Sequence, residues 1–401
     1  MKRYTFLLVP LFFGLLTACC TTPNAESFSI VIDAGSSGSR VYIYRITNGV
    51  YDDFPFVESV VDAKKVEPGI SEMDVSPVAI MKGMRELIDF AKKNIKEDQW
   101  SSTPLYLMAT AGMRLESEAE QEKTMAQLTD YFESTPFDFK EAMILSGQYE
   151  GLYAWIAINY LDDAFDTAKV RESMMEMGGA STQIAYVSDE ADAKHVIARK
   201  YRGKDYDIYA KSYLLMGQDQ AFQLTQSPDC FPVGLDLGDG QKGTGNFEAC
   251  ANHIETTYKE ICKASGDPEC LFDTGFKADV DDAYLAISAF YYTFDFFKPG
   301  DQITLTALKD TATKYCSAEW TAILAANEKK EPSKRAKEKY LKTYGFYAAY
   351  FSKLLEDGYQ MDDELKIGFS NALLGEEPSW TWGAVIDLAH GNSPEAYVNP
   401  K

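Results

Sequence analysis

One arrangement of residues occurs twice in this chain and limits its possible folds more than any other feature. Phe28-Ser29-Ile30-Val31-Ile32 runs into Asp33, then the small-residue loop Ala34-Gly35-Ser36-Ser37-Gly38-Ser39, then a second apolar stretch over residues 40–46. Met174-Met175 runs into Glu176, then Gly178-Gly179-Ala180-Ser181-Thr182-Gln183, then Ile184-Ala185-Tyr186. Both read as strand, acid, Gly/Ser loop, strand. Two copies of one supersecondary unit predict two related domains facing each other, with a ligand in the cleft between them. The 401 residues, 46% of them apolar, are enough to fill two cores.

Each loop presents backbone N–H groups without Cβ crowding, together with hydroxyl donors, and can cradle anionic oxygens. One such loop is as readily a hairpin turn; two together suit a polyphosphate. Neither is a Walker A loop, since no G-x-x-x-x-G-K-[ST] occurs and a strand rather than a helix follows. The later Gly238-Asp239-Gly240-Gln241-Lys242-Gly243 matches G-x-G-x-x-G without the flanking strand and helix, and reads as a surface loop.

Between the two copies, residues 77–95 have apolar side chains at helical spacing (Ile80, Met84, Leu87, Ile88, Ala91) and residues 104–109 form a short buried strand. Residues 116–133 read as another amphipathic helix and residues 142–145 as another strand. Alternating strands and helices predict an α/β fold. Beyond residue 200 the chain is loop-rich and aromatic, then helical over residues 280–297 and 334–356, with the Lys/Glu-rich residues 328–342 a solvated helix face.

Acidic side chains outnumber basic ones 61 to 39, and the net charge of −22 repels phosphate backbones, which argues against nucleic-acid binding. Three histidines (His195, His253, His390), no HExxH and no Cys–His cluster argue against a zinc site. No G-x-S-x-G elbow marks a serine hydrolase. Lys2 and Arg3 precede the apolar residues 6–16, a run too short to span a membrane and laid out as a secretory signal over residues 1–18. Leu16-Thr17-Ala18-Cys19 resembles a lipobox whose cysteine becomes lipidated; ordinary cleavage nearby is the alternative. The expectation is an exported protein, periplasmic, anchored at the outer membrane or secreted, with a lipid on Cys19 as its possible membrane contact.

Past Cys19 and Cys20 the cysteines are Cys230, Cys250, Cys262, Cys270 and Cys316. In an exported chain two bridges and a spare thiol follow. Closeness favours Cys262–Cys270 and then Cys230–Cys250, with Cys316 unpaired, although four cysteines admit other pairings.

Asp33 and Glu176 each end a strand at a phosphate-type loop. A carboxylate there is repulsive unless a divalent cation lies between it and the phosphates, so the pair implies Mg²⁺ or a similar ion, oxygen-ligated and partly hydrated. Hydrolysis also needs a group that orients and deprotonates water. Glu150, in Ser146-Gly147-Gln148-Tyr149-Glu150-Gly151 at the start of a helix, supplies a carboxylate, although favouring a helix N-terminus would explain it equally.

In order and spacing, Ile32 to Arg40, Ala109-Thr110-Ala111-Gly112-Met113-Arg114, residues 146–159 (SGQYEGLYAWIAIN), Gly178 to Gln183 and residues 212–221 (SYLLMGQDQA) resemble the five apyrase conserved regions. The resemblance continues through Gly243-Thr244-Gly245-Asn246, Ser288 to Tyr292 and Trp380-Thr381-Trp382-Gly383, so the chain is similar to bacterial nucleoside triphosphate diphosphohydrolases over nearly all its length. That resemblance implies an actin/hexokinase/Hsp70-like fold: two ribonuclease-H-like domains around a central cleft. Domain I is expected over residues 27–146 plus 371–401 and domain II over 147–370. It implies a monomer that hydrolyses extracellular nucleoside tri- and diphosphates stepwise with Mg²⁺, Ca²⁺ or Mn²⁺, and no covalent phosphoenzyme. By position, Glu150 is the implied base, Ser181 and Gln183 hold the attacking water, and Thr110 contacts the terminal phosphate and water. Ser36, Ser37, Gly38, Ser39, Gly179 and Ala180 bind phosphates, while Asp33 and Glu176 hold water ligands of the metal. Arg40 and Arg114 either stabilise phosphate charge or pair with a carboxylate. Tyr292 and Tyr344 fall at base-stacking positions, whereas Tyr347 and Tyr350 read equally as core.

The chain departs from the family pattern at several places. Glu176 stands where Asp is usual, Lys211 where His is common, and Tyr340 where relatives carry Arg. Gly345 stands where a partner for Cys316 would be, which supports two bridges and a free Cys316. The rival readings are an exopolyphosphatase of the same superfamily, which shares the acid–Gly–Ser loops and a Ser-Gly-x-x-Glu turn, and a non-hydrolytic actin-like nucleotide-binding surface protein. Export, the cysteine pairs, GGASTQ and the late aromatics favour the nucleotidase over the first; Glu150 and Gln183 favour turnover over the second.

Overall fold

The computed structural model describes residues 26–48, 54–167, 173–189, 194–274, 276 and 284–399. The expected signal segment, Cys19 and Cys20 lie outside these residues. In chain order the first half contains β1 (Glu26–Gly35), β2 (Gly38–Asn48), β3 (Pro55–Ser59), β4 (Lys64–Val66), α1 (Pro77–Asn94), β5 (Pro104–Ala109), α2 (Ala111–Arg114), α3 (Glu118–Glu133) and β6 (Asp138–Ile144). The helix α4 (Gly147–Leu161) leads to β7 (Ser173–Met177), β8 (Ser181–Val187), β9 (Val196–Tyr201), β10 (Lys204–Leu214) and α5 (Gln218–Thr225). A two-stranded ribbon of β11 (Asp236–Gly238) and β12 (Gln241–Lys242) follows, so the Gly238–Gly243 loop is its turn, as expected. Then come α6 (Phe247–Ser265), α7 (Leu271–Thr274), β13 (Tyr284–Ser288), α8 (Ala289–Phe297), β14 (Gln302–Ile303) and α9 (Leu305–Cys316). The chain ends with α10 (Trp320–Glu328), α11 (Glu338–Lys353), β15 (Ile367–Phe369) and α12 (Trp380–Ala389).

The first sheet has the order β3-β2-β1-β5-β6, with β4 also on β2. Strands β1, β2 and β3 form an antiparallel meander, and β5 and β6 continue parallel to β1. The second sheet has the order β14-β15-β13-β7-β8-β10-β9. Here β7, β8 and β10 form the meander and β13 and β15 run parallel to β7. With β9 as an insertion and β14 as an edge addition, β10-β8-β7-β13-β15 repeats β3-β2-β1-β5-β6 strand for strand and direction for direction. The duplication expected from the two loops is therefore a duplication of whole ribonuclease-H-like sheets.

Side-chain alternation builds the layers. Ile30 and Ile32 of β1 pack outward with Ile80, Met84 and Leu87 of α1 and Leu128 of α3. Val31 packs inward with α4, α12 and inward residues of the second sheet such as Met174 and Ala185. Met175 and Ile184 pack on the far side with α6 and α11. Lying between two sheets, α4 is apolar around nearly its whole circumference, the pattern of a buried helix. It crosses α12 so closely that a methyl group at Gly383 would overlap the carbonyl of Tyr153, so only glycine fits there.

Two expected helices need correction. Residues 284–288 are a strand rather than the start of a helix over 280–297, because a parallel strand buried on both faces is an unbroken apolar run that periodicity cannot tell from a buried helix. The Lys/Glu-rich residues 328–342 are solvated but not one helix: Pro332 breaks the run and α11 starts at Glu338. The bridges are Cys230–Cys250 and Cys262–Cys270, and Cys316 is a buried free thiol. A side chain at Gly345 would run into its Sγ. Among the described residues no helix is long and apolar enough to cross a membrane.

Candidate active site

Strand alternation decides where the two acids point. Asp33 shares the inward face of Val31 in β1, and Glu176 the inward face of Met174 in β7. Ser181 and Gln183 share that of Ala185 in β8. Beyond the inner core, the ends of the two sheets therefore turn Asp33, Glu176 and Ser181 into one cleft of about 270 Å³, while Gln183 is fully buried and does not line it. Asp33, Ser36, Ser37, Arg40 and Thr110 line it from the first half, Glu176, Gly178, Gly179, Ala180 and Ser181 from the second, and Glu150 lies between.

The two loops almost touch: a methyl group at Gly179 would collide with Ser36 Oγ and the Asp219 carboxylate. The second loop is tied to the start of α5, where Asp219 and Gln220 N–H donate to Gly179 O at 2.9 and 3.1 Å. Gly38 and Ser39, also expected at the phosphates, begin β2 behind the first loop and do not line the cleft. Ser39 is fully buried, its hydroxyl without a partner.

Ser146 caps α4, its hydroxyl accepting Tyr149 N–H at 3.3 Å. One turn on, Glu150 is buried and paired with Arg114 Nη2. Arg114 Nη1 donates to Ser212 Oγ at 3.3 Å. Gln183 Nε2 donates to the same hydroxyl at 3.0 Å and to Ser181 Oγ at 2.7 Å. Glu150, Arg114, Ser212, Gln183 and Ser181 are thus one connected polar chain. Of the two alternatives for Arg114, phosphate contact or carboxylate pairing, the geometry takes the second, with the side chain 3% exposed and off the cleft wall. Ser212 lies in the fifth of the motif-like stretches, but its type gives no sign of its place in the network, because a strand serine carries no signal of its own.

Burial pushes the Asp33 carboxyl up to about 7, against the pull of Arg40, whose Nη1 is 3.6 Å away. Burial and then the nearby Glu150 push Glu176 up to about 8, against a hydrogen bond from Ser288 Oγ at 3.0 Å. Burial also raises Glu150, with Arg114 opposing it. Three carboxylates thus share a cleft with too little positive charge to keep them all ionised. Asp33 Oδ1, Glu176 Oε2 and Gln183 Oε1 are buried without hydrogen-bond partners. An all-oxygen set of this kind fits a hard divalent cation that keeps part of its water shell. Among the described residues no three His, Cys, Asp or Glu side chains converge into a metal-holding group.

Tyr292 lines the cleft and is more than half exposed, as a stacking platform would be. Tyr344 does not line it: the ring lies flat on Phe296, centroids 3.9 Å apart at 11°, which uses one of its faces. Tyr340 is the other exposed large ring in this region. Tyr350 is core, its hydroxyl donating to Met216 O at 2.6 Å, and Tyr347 packs against Phe222 and Phe346. Lys211 is off the cleft, 3.4 Å from the Glu269 carboxylate that also meets Lys194 and His195. Tyr42, Asp219, Ser288 and Glu377 also line the cleft and were missed.

Two ribonuclease-H-like sheets, each sending an acid and a Gly/Ser loop into a shared cleft, define the actin-like class of two-domain proteins. Within that class the chain belongs to the GDA1/CD39 (nucleoside phosphatase) family, whose family model matches residues 19–401. It is therefore an enzyme of the nucleoside phosphatase kind. Ectonucleoside triphosphate diphosphohydrolase 1 of Mus musculus is 29% identical over 94% of this chain and 84% of its own. "Probable apyrase 3" of Arabidopsis thaliana is 30% identical over 91% of this chain and 83% of its own. The solved structure of nucleoside triphosphate hydrolases from Neospora caninum superposes with a TM-score of 0.60 at 14% identity, covering 92% of this chain and 93% of that one; at that identity the likeness concerns the fold.

Proposed function

We propose that the protein removes the terminal phosphate from nucleoside triphosphates, and then from diphosphates, by direct in-line attack of water. The observation that carries the reading is Glu150: a buried carboxylate held by Arg114 at the meeting point of two facing phosphate-type loops. Ser36 and Ser37 on one side and Gly179 and Ala180 on the other grip the phosphates through N–H and hydroxyl donors, with Arg40 adding positive charge. Ser181 and Gln183 orient the water, Glu150 accepts its proton, and Thr110 contacts the phosphoryl group under attack. Asp33 and Glu176 would hold a divalent cation, Mg²⁺, Ca²⁺ or Mn²⁺, through its water ligands. When bound, that cation neutralises phosphate charge. Positioning and charge neutralisation suffice for phosphoryl transfer, so no covalent phosphoenzyme is required.

The nucleobase stacks on Tyr292, with Tyr344 behind it. Domain I comprises residues 27–146 and 371–401, domain II residues 147–370; that one sheet is built from strands before residue 146 and the other from strands between 173 and 369 supports this reading. The protein acts as an exported monomer of bacterial type, free or lipid-anchored through Cys19; the two bridges support an oxidising location. The test is phosphate release from ATP, ADP and long-chain polyphosphate with each cation in turn. Release from ATP and ADP only when a cation is present is expected. Activity on polyphosphate alone would make the chain an exopolyphosphatase, and nucleotide binding without release would make it a binder.

A further inference from the structure

Ser288 is built at odds with its own position. It ends β13 and stands at the N-cap of α8, where a serine hydroxyl ordinarily accepts from an N–H of the first turn. Here the hydroxyl caps nothing and donates instead to Glu176 Oε1 at 3.0 Å. The backbone has φ 59° and ψ −129°, a positive-φ conformation that a non-glycine residue holds only when its surroundings impose it. Starting α8 requires neither the strain nor the lost cap. Both are accounted for by the contact with Glu176, and strain of this kind is concentrated at functional sites.

The main chain of Glu176 is fixed, since β7 lies between β8 and β13 and Thr182 Oγ1 donates to Glu176 O at 2.7 Å. Its long side chain is not: among the described residues the bond from Ser288 is the one hydrogen bond it makes, and Oε2 is buried without a partner. With Oε1 taken, this carboxylate can offer a cation one oxygen but not both. Mg²⁺ keeps several of its waters, whereas Ca²⁺ readily takes a carboxylate through both oxygens. We propose that Ser288 is a positioning residue that sets cation preference: its hydroxyl occupies Glu176 Oε1 and leaves Oε2 alone to accept from a cation-bound water, which suits hydrated Mg²⁺ better than Ca²⁺. The assignment rests on the reading above that Asp33 and Glu176 serve a divalent cation.

The experiment measures the Kd of a non-hydrolysable ATP analogue in EDTA, Mg²⁺ or Ca²⁺ for wild type, Ser288→Ala, Ser288→Gly and Glu176→Gln, together with each melting temperature. The readout is how far each cation tightens binding relative to EDTA, and it needs no turnover. Wild type is expected to be tightened more by Mg²⁺ than by Ca²⁺. In Ser288→Ala the tightening by Mg²⁺ falls ~10-fold and that by Ca²⁺ less, while the Kd in EDTA is unchanged. Ser288→Gly does the same with a melting temperature no lower than that of wild type, because glycine adopts this backbone without strain, and it stands in if the alanine variant does not fold. The proposal is overturned by a wild type that prefers Ca²⁺, or by undiminished Mg²⁺ tightening in the folded Ser288 variants beside a loss in Glu176→Gln. Equal losses for the two cations, or a weaker Kd in EDTA, would overturn it as well. If Glu176→Gln keeps the wild-type tightening by both cations, the failure is that of the cation reading of Glu176 itself.

Discussion

Glu150 is buried deeply enough that its carboxyl is biased toward keeping its proton, and Arg114 is the group that opposes this. Without the guanidinium nothing opposes the burial penalty, so the carboxyl would titrate at higher pH. For Arg114→Met the acid limb of the kcat profile is expected to move to higher pH, so turnover falls at neutral pH and recovers in alkali while KM changes little. A profile that drops in height without moving would show that Arg114 serves some other step. Asp33, Glu176 and Glu150 were legible in the sequence because each adjoins a Gly/Ser turn, where a carboxylate needs a reason to be. The partner of Arg114 was left open because the contact depends on how α2 packs beside α4. Glu377 carried no signal at all, since a Glu-Glu-Pro stretch looks like any solvated loop.

At the scale of elements, the antiparallel hairpin β1–β2, the parallel strand β5 and the helices α1 and α3 were readable because their periodicity is clean and their ends are marked by turns. The strand β13 was not, since its neighbours bury it on both faces, and neither was β9, an insertion at the edge of the second sheet. That insertion has a mechanical role. Arg199 of β9 bonds both carboxylate oxygens of Asp387 of α12, at 2.9 and 3.1 Å, and Tyr201 Oη and Asn392 Nδ2 donate to the same carboxylate at 2.6 and 2.8 Å. Asp387 is fully buried, so this cluster joins the second sheet to a helix packed on the first. Removing one partner would leave a buried charge uncompensated. Asp387→Ala is expected to cost about 3–5 kcal/mol in urea unfolding; a loss below about 1 kcal/mol would show that the two layers are held by apolar packing alone.

For the whole molecule, the duplicated loop was enough to predict a cleft, because two copies of one unit can share a ligand only by facing each other. The net charge of −22 is compatible with a polyphosphate substrate that arrives as a cation complex. On the proposed reading the cleft offers N–H groups, hydroxyls and Arg40 to the phosphates, Asp33 and Glu176 to a hydrated cation, and the open face of Tyr292 to the base. The two halves meet at Glu150, so the account is tested most directly there. Glu150→Gln keeps the size of the side chain and removes its ability to take a proton. With the melting temperature checked, turnover of a nucleoside triphosphate is expected to fall at least ~10²-fold while binding of a non-hydrolysable analogue changes little. A folded variant that turns over at the wild-type rate would contradict the account.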